Sequence, residues 1–580
     1  MTRPLFPSPR PRSFALLGIL LLGILATATW SQPSAAASRP AVRGDNAMVV
    51  SVDADATRVG VEVLRAGGNA VDASIAVAFA LAVTYPEAGN LGGGGFLLLR
   101  TADGAYRALD FRETAPRRLR PDLFLDEDGR PVPGLSVRGG LAIGVPGTVA
   151  GLFEAHRRWG SLPWPELVAP AIRLAGEGRP VSRQLAGSLV THLERLNADP
   201  GARAVFTRDG EALHEGDRLI QRDLARTLKR IAEDGPTGFY RGPTAEAIAR
   251  TARREGGVMD EEDLALYSPV LREPLQGTYR GYRIISFPPP SSGGVVLLQI
   301  LGILERFDLK TSGFGSSRTI HRMAEAERRA YADRSKWLGD PDFFRVPVGE
   351  LLDRSYLASR AASIRNRKAT PSRRIHAGSP PRPEPVQTTH FSVADSQGNA
   401  VALTTTLNSS YGAAVVAEGT GVLLNNEIDD FALAPGVPNL YGLVGGEANA
   451  VAGGKRPLSS MTPTIVEAPE SGPRPFLILG SPGGATIITA VLQVLVNVID
   501  HDMPLQEAVD APRFHHQWLP DKIHHEIRTF STDVARALEA RGHQFQERER
   551  LGNVSAIGLD QNGSWLGAAD PRREGHAAGF

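Results

Sequence analysis

Residues 387–408 read QTTHFSVADSQGNAVALTTTLN, and the strand that begins at Thr388 is the key to the chain. Two arms rich in β-branched residues flank the turn at residues 395–399, a pattern that predicts a β-hairpin. The segment just before it, residues 378–385, reads GSPPRPEP. Proline lacks the amide donor and has a fixed φ, so this segment cannot pair into a sheet. We therefore expect the chain to be cut where the proline-rich segment meets the strand, at Thr388.

Composition excludes several functional classes. The 580 residues carry 64 Lys and Arg against 63 Asp and Glu, a net charge of +1, so no global field attracts nucleic acid or an anionic membrane. A hydrophobic content of 42% with 62 glycines and 43 prolines is typical of a globular, loop-rich α/β protein. The chain has no cysteine, which excludes disulfides, a thiol nucleophile and a cysteine metal site. Its length allows two or three ordinary domains or one large intertwined unit.

The N-terminus has the order of a secretory signal. Basic residues come first, followed by an apolar run over residues 14–26 and by three alanines at residues 35–37. We expect residues 1–37 to be a signal peptide cleaved after Ala37, and the protein to be exported to the periplasm or secreted, with no membrane attachment after cleavage. An uncleaved anchor is the weaker alternative, because the run is shorter than the roughly 20 residues that span a bilayer.

Helical spacing predicts helices over residues 55–66 and 71–83, and the second is apolar enough to lie inside, against a sheet. The glycine-rich residues 89–95 follow that helix and precede an apolar strand. A dinucleotide-binding loop must instead follow a strand and open a helix, which argues against nucleotide binding. Residues 320–337 carry many charges at helical spacing, and we expect them to form a solvated outer helix.

Several familiar catalytic motifs are missing from the sequence. The sequence has no G-x-S-x-G elbow, no H-E-x-x-H and no S-x-x-K, and its adjacent histidine pairs at 515–516 and 524–525 diverge, so we expect no metal. A hydroxyl nucleophile remains. An N-terminal threonine supplies its own base, since a free α-amine has a pKa near 7.7 to 8.0. Attack of the Thr388 hydroxyl on the Gln387 carbonyl, followed by hydrolysis of the ester, would release such a terminus.

Five motifs in order carry a resemblance. They are residues 387–390 (QTTH), 404–408 (TTTLN), 425–431 (NNEIDDF), 457–461 (PLSSM) and 480–484 (GSPGG). Together with residues 110–113 and 512–518, they make the chain resemble the γ-glutamyltransferase, or γ-glutamyl transpeptidase, family of N-terminal-nucleophile hydrolases over residues 42–580. The resemblance implies an α+β fold, a four-layer αββα sandwich built from two interlocked subunits of one precursor.

The same resemblance implies the processing and the reaction. The precursor is cut between Gln387 and Thr388 into a large subunit, residues 38–387, and a small catalytic subunit, residues 388–580. The enzyme cleaves the γ-glutamyl amide bond of glutathione and its conjugates through a γ-glutamyl-threonine ester. It passes the acyl group to amino acids, peptides or water, without a cofactor and without a nucleic-acid partner.

The resemblance also implies a role for each site residue. Thr388 is the nucleophile, Thr406 holds its hydroxyl, Thr404 supports it indirectly, and the amides of Gly483 and Gly484 form the oxyanion hole. Substrate binding is divided between the two charges of the glutamyl head group. The α-carboxylate is expected to be bound by Arg112, Ser459 and Ser460. The α-ammonium is expected to be bound by Asn408, Glu427 and Asp430. Many bacterial members have Gln at the position of Glu427, and either side chain accepts from an ammonium.

Residues 435–446 match a lid loop that some members lack, with Tyr441 as the cover over the glutamyl group. Two alternatives stay open. One is a glutaryl-cephalosporin-type acylase of the same superfamily, whose substrate lacks the α-amino group, and Asp430 argues against it. The other is an inactive secreted binding homologue, and the presence of Thr388, Thr406 and the glycine pair argues against that.

Overall fold

The computed structural model describes residues 38–376, 388–434, 439–440, 443, 445–469, 472 and 474–580. Residues from Pro40 onward form one compact unit. The predicted signal peptide, most of the predicted lid, Gln387 and Tyr441 lie outside the described residues.

Two seven-stranded antiparallel sheets form the centre of the protein. In spatial order, sheet 1 consists of Val42–Gly44, Trp565–Ala569, Ser555–Leu559, Leu477–Gly480, Thr464–Glu467, Tyr282–Ser286 and Leu275–Tyr279. Sheet 2 consists of His576–Gly579, Met48–Ser51, Thr389–Ala394, Ala400–Thr406, Gly94–Arg100, Tyr106–Phe111 and Val270–Arg272.

Strand residues alternate between two apolar layers, as the two-residue period of a strand requires. In Gly94–Arg100, Phe96 and Leu98 join the core between the sheets, whereas Leu97 and Leu99 face the outer core. The inner core also takes Ile478 from sheet 1, so the two sheets pack face to face. Each sheet is covered on its other face by helices, which confirms the predicted αββα sandwich.

Helices Ala54–Arg65, Ala70–Thr84 and Thr148–Trp159 cover sheet 2, with Trp164–Glu177 and Arg222–Asp234 outside them. Asn69 and Asp72 form a capping box at the start of Ala70–Thr84, which is buried along its whole length as predicted. Helices Gly293–Leu304, Thr486–Ile499 and Leu505–Asp510 cover sheet 1. None of the helices in the described ranges is long and apolar enough to cross a membrane.

Shorter elements complete the chain. The remaining α-helices are Arg183–Thr191, Leu193–Ala198, Pro200–Phe206, Thr237–Tyr240, Gly242–Arg254, Glu261–Leu266, Leu309–Ser312, Val348–Leu351, Arg354–Ala362 and Thr532–Glu539, together with Ser317–Trp337. Small strand pairs and a three-stranded sheet are formed by Arg179–Pro180, Thr207–Arg208, Glu211–Ala212, Arg218–Leu219, Val415–Ala417, Val422–Leu424, Phe514–His515, Ile523–Glu526 and Phe545–Arg548.

The predicted hairpin lies in the middle of sheet 2. Thr389 pairs with Thr405 and Ala394 with Ala400, and the hairpin is flanked by Met48–Ser51 on one side and Gly94–Arg100 on the other. Sheet 1 likewise combines strands from before and after Thr388. A break in the chain before Thr388 would therefore leave two pieces held together by both sheets.

The charged helix was predicted wrongly. Ser317–Trp337 is buried from Met323 to Ser335, not solvated. Its charges are neutralised inside the protein: Glu325 forms ion pairs with Arg328 and Arg329 on the same helix. Buried charges are tolerated when they are paired and hydrogen-bonded, and this pairing removes the need for solvent.

Gly480 provides a test of the packing between the sheets. A Cβ at Gly480 would lie 2.4 Å from Nδ1 and Cε1 of the buried His390 ring. We expect Gly480→Ala to lower the unfolding free energy by about 1–3 kcal/mol, because the ring has no free space. Gly187→Ala is the matched control, since no atom lies within 4 Å of its Cβ, in helix Arg183–Thr191. Equal thermal unfolding midpoints for the two variants would contradict this packing.

Candidate active site

Thr388 immediately precedes the strand Thr389–Ala394 and is 4% exposed. Its Oγ lies 3.5 Å from Oγ of Thr406, the last residue of the neighbouring strand. The backbone N–H of Asn408 donates to Thr406 Oγ over 2.8 Å. Thr406 Oγ accepts that hydrogen bond through a lone pair, so its own proton remains available to donate to Thr388 Oγ. The hairpin register thus brings a nucleophile and a hydroxyl partner together.

Thr404 acts on the strand through His390. Its hydroxyl shares a 2.8 Å hydrogen bond with His390 Nδ1, and Nε2 of the ring lies 3.1 Å from Ser392 Oγ. Burial lowers the pKa of His390 to about 3, so the ring is neutral at physiological pH. A neutral imidazole wedged between the sheets fixes the strand two residues after Thr388.

Gly483 and Gly484 form the turn between strand Leu477–Gly480 and helix Thr486–Ile499. Their φ angles are +135° and +49°, in the region that favours glycine. The Gly483 carbonyl accepts from both N and Oγ of Thr486. Because carbonyl and N–H point in opposite directions across a trans peptide, the Gly484 N–H is directed away from the helix. This is the orientation needed to donate to an oxyanion.

A cavity lies beside Thr388. It is lined by Arg112, Thr388, Thr406, Asn408, Glu427, Asp430, Ser459, Ser460, Met461, Gly484 and Ile487. Nine of these lining residues were predicted from the sequence. Gly483 and Thr404 are not among the lining residues, and Met461 and Ile487 were not predicted.

Arg112 is fully buried and surrounded by carboxylates. Its Nη1 contacts Glu427, its Nη2 contacts Asp430, and Glu113 Oε2 lies 3.5 Å from Nη1. The Arg112 Nε donates to the Pro457 carbonyl over 3.2 Å. The guanidinium fork thus contacts two of the residues predicted for the substrate's ammonium.

Burial changes the protonation of this ionic cluster. It raises the pKa of Glu113 to about 7 and also raises the pKa of Glu427 and of Asp430, and Arg112 only partly counters this. Burial alone would lower the pKa of Arg112, but the three carboxylates raise it. Burial thus favours the protonated forms of these acids, and the charge of Arg112 favours their ionised forms. Glu113 was missed as a site residue because nothing but its position next to Arg112 marks it.

The two serines of the PLSSM motif are held in different ways, Ser459 by backbone groups and Ser460 by a side chain. Ser459 N donates to the Pro290 carbonyl over 2.9 Å, and Ser459 Oγ accepts from Met461 N over 3.1 Å. Ser460 Oγ accepts from Arg334 Nη2 over 3.1 Å. Arg334 lies on the charged helix Ser317–Trp337, so a sequence reading that left this helix in solvent could not find it.

The histidine pairs have structural partners. His515 is hydrogen-bonded through Nδ1 to Thr489 and through Nε2 to Gln517, and His516 Nε2 lies 2.9 Å from Arg328 Nη2. Burial lowers the pKa of both rings. Within the ranges that the structure describes, no group of three or more His, Cys, Asp or Glu side chains has the arrangement of a metal site.

The site combines a buried threonine hydroxyl, the Gly484 amide of a glycine turn, and a cavity lined by charges of both signs. A threonine attacks an acyl carbon, the amide stabilises the resulting oxyanion, and charges of both signs bind a zwitterion. The arrangement is therefore suited to acyl transfer from an amino-acid head group.

Known proteins share this sequence and fold. The chain is 51% identical over 532 residues to the glutathione hydrolase proenzyme of Escherichia coli K12, covering 92% of this chain and 91% of that protein. It is 39% identical to the acylase ACY 1 proenzyme of Pseudomonas sp. V22, covering 92% and 93%. Among solved structures, the cephalosporin acylase of Bacillus halodurans superposes with a TM-score of 0.83 at 30% identity, covering 95% and 98%.

A family model described as gamma-glutamyltranspeptidase matches residues 56–580, which include the hairpin, the glycine turn and every lining residue of the cavity. With the nucleophile, the charged pocket and the αββα sandwich in place, the chain belongs to the gamma-glutamyltranspeptidase family and is an enzyme of γ-glutamyl transfer.

Proposed function

We propose that this enzyme cleaves the γ-glutamyl amide bond of glutathione and its conjugates, with Thr388 as nucleophile, and passes the γ-glutamyl group to amino acids, peptides or water. The observation that carries this is the pairing of Thr388 with Thr406 beside a pocket containing both an arginine and carboxylates. The glutathione hydrolase named at 51% identity supports the donor.

In the acylation step, Thr388 Oγ attacks the γ-carbonyl carbon and its proton passes to the α-amine of Thr388. The oxyanion receives hydrogen bonds from the amides of Gly483 and Gly484, whose loss in comparable sites costs about 3 kcal/mol. The C–N bond then breaks, the leaving amine takes the proton, and a γ-glutamyl ester of Thr388 remains. Thr406 keeps the attacking oxygen in place throughout.

In the deacylation step, an acceptor amine or a water molecule attacks the ester carbon. The same α-amine takes the proton of the attacking group and returns it to Thr388 Oγ as the ester bond breaks. An amine acceptor gives a new γ-glutamyl amide, and water gives glutamate. The two routes differ only in the nucleophile that attacks the ester.

The glutamyl head group is bound by its two charges. Arg112, Ser459 and Ser460 bind the α-carboxylate, and Asn408, Glu427 and Asp430 bind the α-ammonium. The substrate's charges then replace part of the contact between Arg112 and the two acids. The residue that we propose as a cover for the bound group, Tyr441, lies outside the described residues.

Maturation creates the free amine. Thr388 Oγ attacks the Gln387 carbonyl, the peptide bond becomes an ester, and water releases the large subunit, residues 38–387, and the small subunit, residues 388–580. The shared sheets support a heterodimer that stays assembled, and the relatives named as proenzymes support processing. We further propose export to the periplasm or medium after removal of residues 1–37.

An acylase that accepts glutaryl side chains is the second candidate, supported by the acylase relative and by the cephalosporin acylase structure. The two candidates differ in the substrate's α-amino group. Asp430, a buried carboxylate lining the cavity, favours a substrate that has an ammonium.

The first prediction concerns processing. We expect Thr388→Ala to remain one uncut chain with no γ-glutamyl activity, because neither the N-to-O shift nor acylation can occur without the hydroxyl. Thr389→Ala is the matched control: its Oγ is buried and has no hydrogen-bond partner among the described residues, so it should still be processed. Gel electrophoresis and the N-terminal sequence of the smaller fragment provide the measurement. Two fragments from Thr388→Ala would refute this chemistry.

The second prediction concerns the ammonium. We expect Asp430→Ala to mature normally but to lower kcat/KM for a γ-glutamyl anilide by about 10- to 100-fold, the worth of a hydrogen bond to a charged group. Activity on a glutaryl anilide, which has no ammonium, should not fall. Asp429→Asn is the control, since Asp429 binds Ser136 and the Leu440 amide outside the cavity. Equal losses on both anilides in Asp430→Ala would contradict the assignment.

The third prediction separates the two candidate functions. For the wild-type enzyme, we expect kcat/KM for arylamine release to be at least about tenfold higher with a γ-glutamyl anilide than with a glutaryl anilide. The reason is that the glutaryl group has no ammonium, so it leaves the carboxylates of the pocket unpaired. A preference for the glutaryl anilide would establish the acylase instead.

A further inference from the structure

We propose that Arg334 is a positioning residue for the substrate's α-carboxylate, fixing Ser459 and Ser460 and placing an additional positive charge behind them. The inference deepens the proposed function and rests on it. Arg334 is not itself among the residues that line the cavity, and it acts through the serines.

Arg334 is 5% exposed, and its guanidinium contacts Ser460 directly and Ser459 through Ser292. Its Nη2 donates to Ser460 Oγ over 3.1 Å, and its Nε donates to Ser292 Oγ over 2.8 Å. Ser292 in turn donates to the Ser459 carbonyl through both its N–H, over 2.7 Å, and its hydroxyl, over 2.6 Å. One planar fork therefore sets the position of the whole serine pair.

The direction of the Ser460 hydroxyl follows from this contact. A serine hydroxyl has one proton to donate and two acceptor positions. Arg334 has only protons to donate, so Ser460 Oγ must accept from it. Among the described residues nothing accepts the Ser460 proton, and Ser460 lines the cavity. The proton is thus available to a carboxylate bound in the cavity.

Charge supports the same role. The Arg112 fork is bound to Glu427 and Asp430, whereas Arg334 forms no ion pair with any carboxylate of the described residues. Burial lowers the pKa of Arg334 to about 10, so it stays protonated at neutral pH. Asp430, beyond ion-pair distance, is the carboxylate whose charge acts on Arg334, and the substrate's α-carboxylate would add a second negative charge across a short hydrogen-bonded path.

The test compares two substrates. A 4-aminobutanoyl anilide is a γ-glutamyl anilide without the α-carboxylate. We expect Arg334→Met to lower kcat/KM for the γ-glutamyl anilide by about 10- to 100-fold, mainly through KM, while kcat/KM for the 4-aminobutanoyl anilide changes by less than about threefold. Arg334→Lys keeps the charge but loses the fork, and should fall between wild type and Arg334→Met.

Controls separate this role from a structural one. Arg329→Met removes another buried arginine of the same helix; Arg329 contacts Glu325 and Ser363. This variant should keep the wild-type ratio of kcat/KM for the γ-glutamyl anilide to kcat/KM for the 4-aminobutanoyl anilide. Equal losses on both substrates in Arg334→Met would overturn the proposal. If Arg334→Met does not mature, the same comparison is made with Arg334→Gln and Arg334→Lys. A wild-type ratio of kcat/KM for the γ-glutamyl anilide to kcat/KM for the 4-aminobutanoyl anilide in both variants would overturn the proposal. A wild-type enzyme inactive on the γ-glutamyl anilide would instead refute the proposed function.

Discussion

The position of Thr388 depends on how the strand Thr389–Ala394 is paired. On one edge the strand is hydrogen-bonded along its full length to Ala400–Thr406, but on the other edge its pairing with Met48–Ser51 begins only at Ser392. The first residues of the strand are thus fixed by one neighbouring strand, and their other edge is not paired with Met48–Ser51. Thr388, which immediately precedes this strand, lines the cavity.

The same sheets explain why a cut before Thr388 is compatible with a stable fold. Each sheet contains strands from both sides of Thr388, so the hydrogen-bond ladders between them do not depend on the connection being intact. Only the covalent link is lost, and the apolar core between Ile478 of one sheet and Phe96 of the other stays buried. Most of the folding free energy comes from that burial and not from chain connectivity.

Local periodicity was enough to predict the hairpin, the buried helix Ala70–Thr84 and the strand after the glycine-rich segment. It failed for Ser317–Trp337, because the pattern of charges on a helix does not reveal their partners. Arg329 bonds to Ser363 and Glu325 to Thr370, contacts that span more than 30 residues and that only the fold can supply. The motif residues of the site could be predicted because their order is specific. Arg334 and Glu113 could not, since each acts through a neighbour that the fold brings to it.

The cluster around Arg112 combines three acids with one buried guanidinium. Burial raises the pKa of Glu113, of Glu427 and of Asp430, and the charge of Arg112 counters part of that effect. Under the proposed assignment, a bound α-ammonium would add a positive charge beside these carboxylates and favour their ionised forms. A glutaryl group brings a negative charge alone and would disfavour the ionised forms, so protonation acts in the same direction as the direct contacts in favouring a head group with an ammonium.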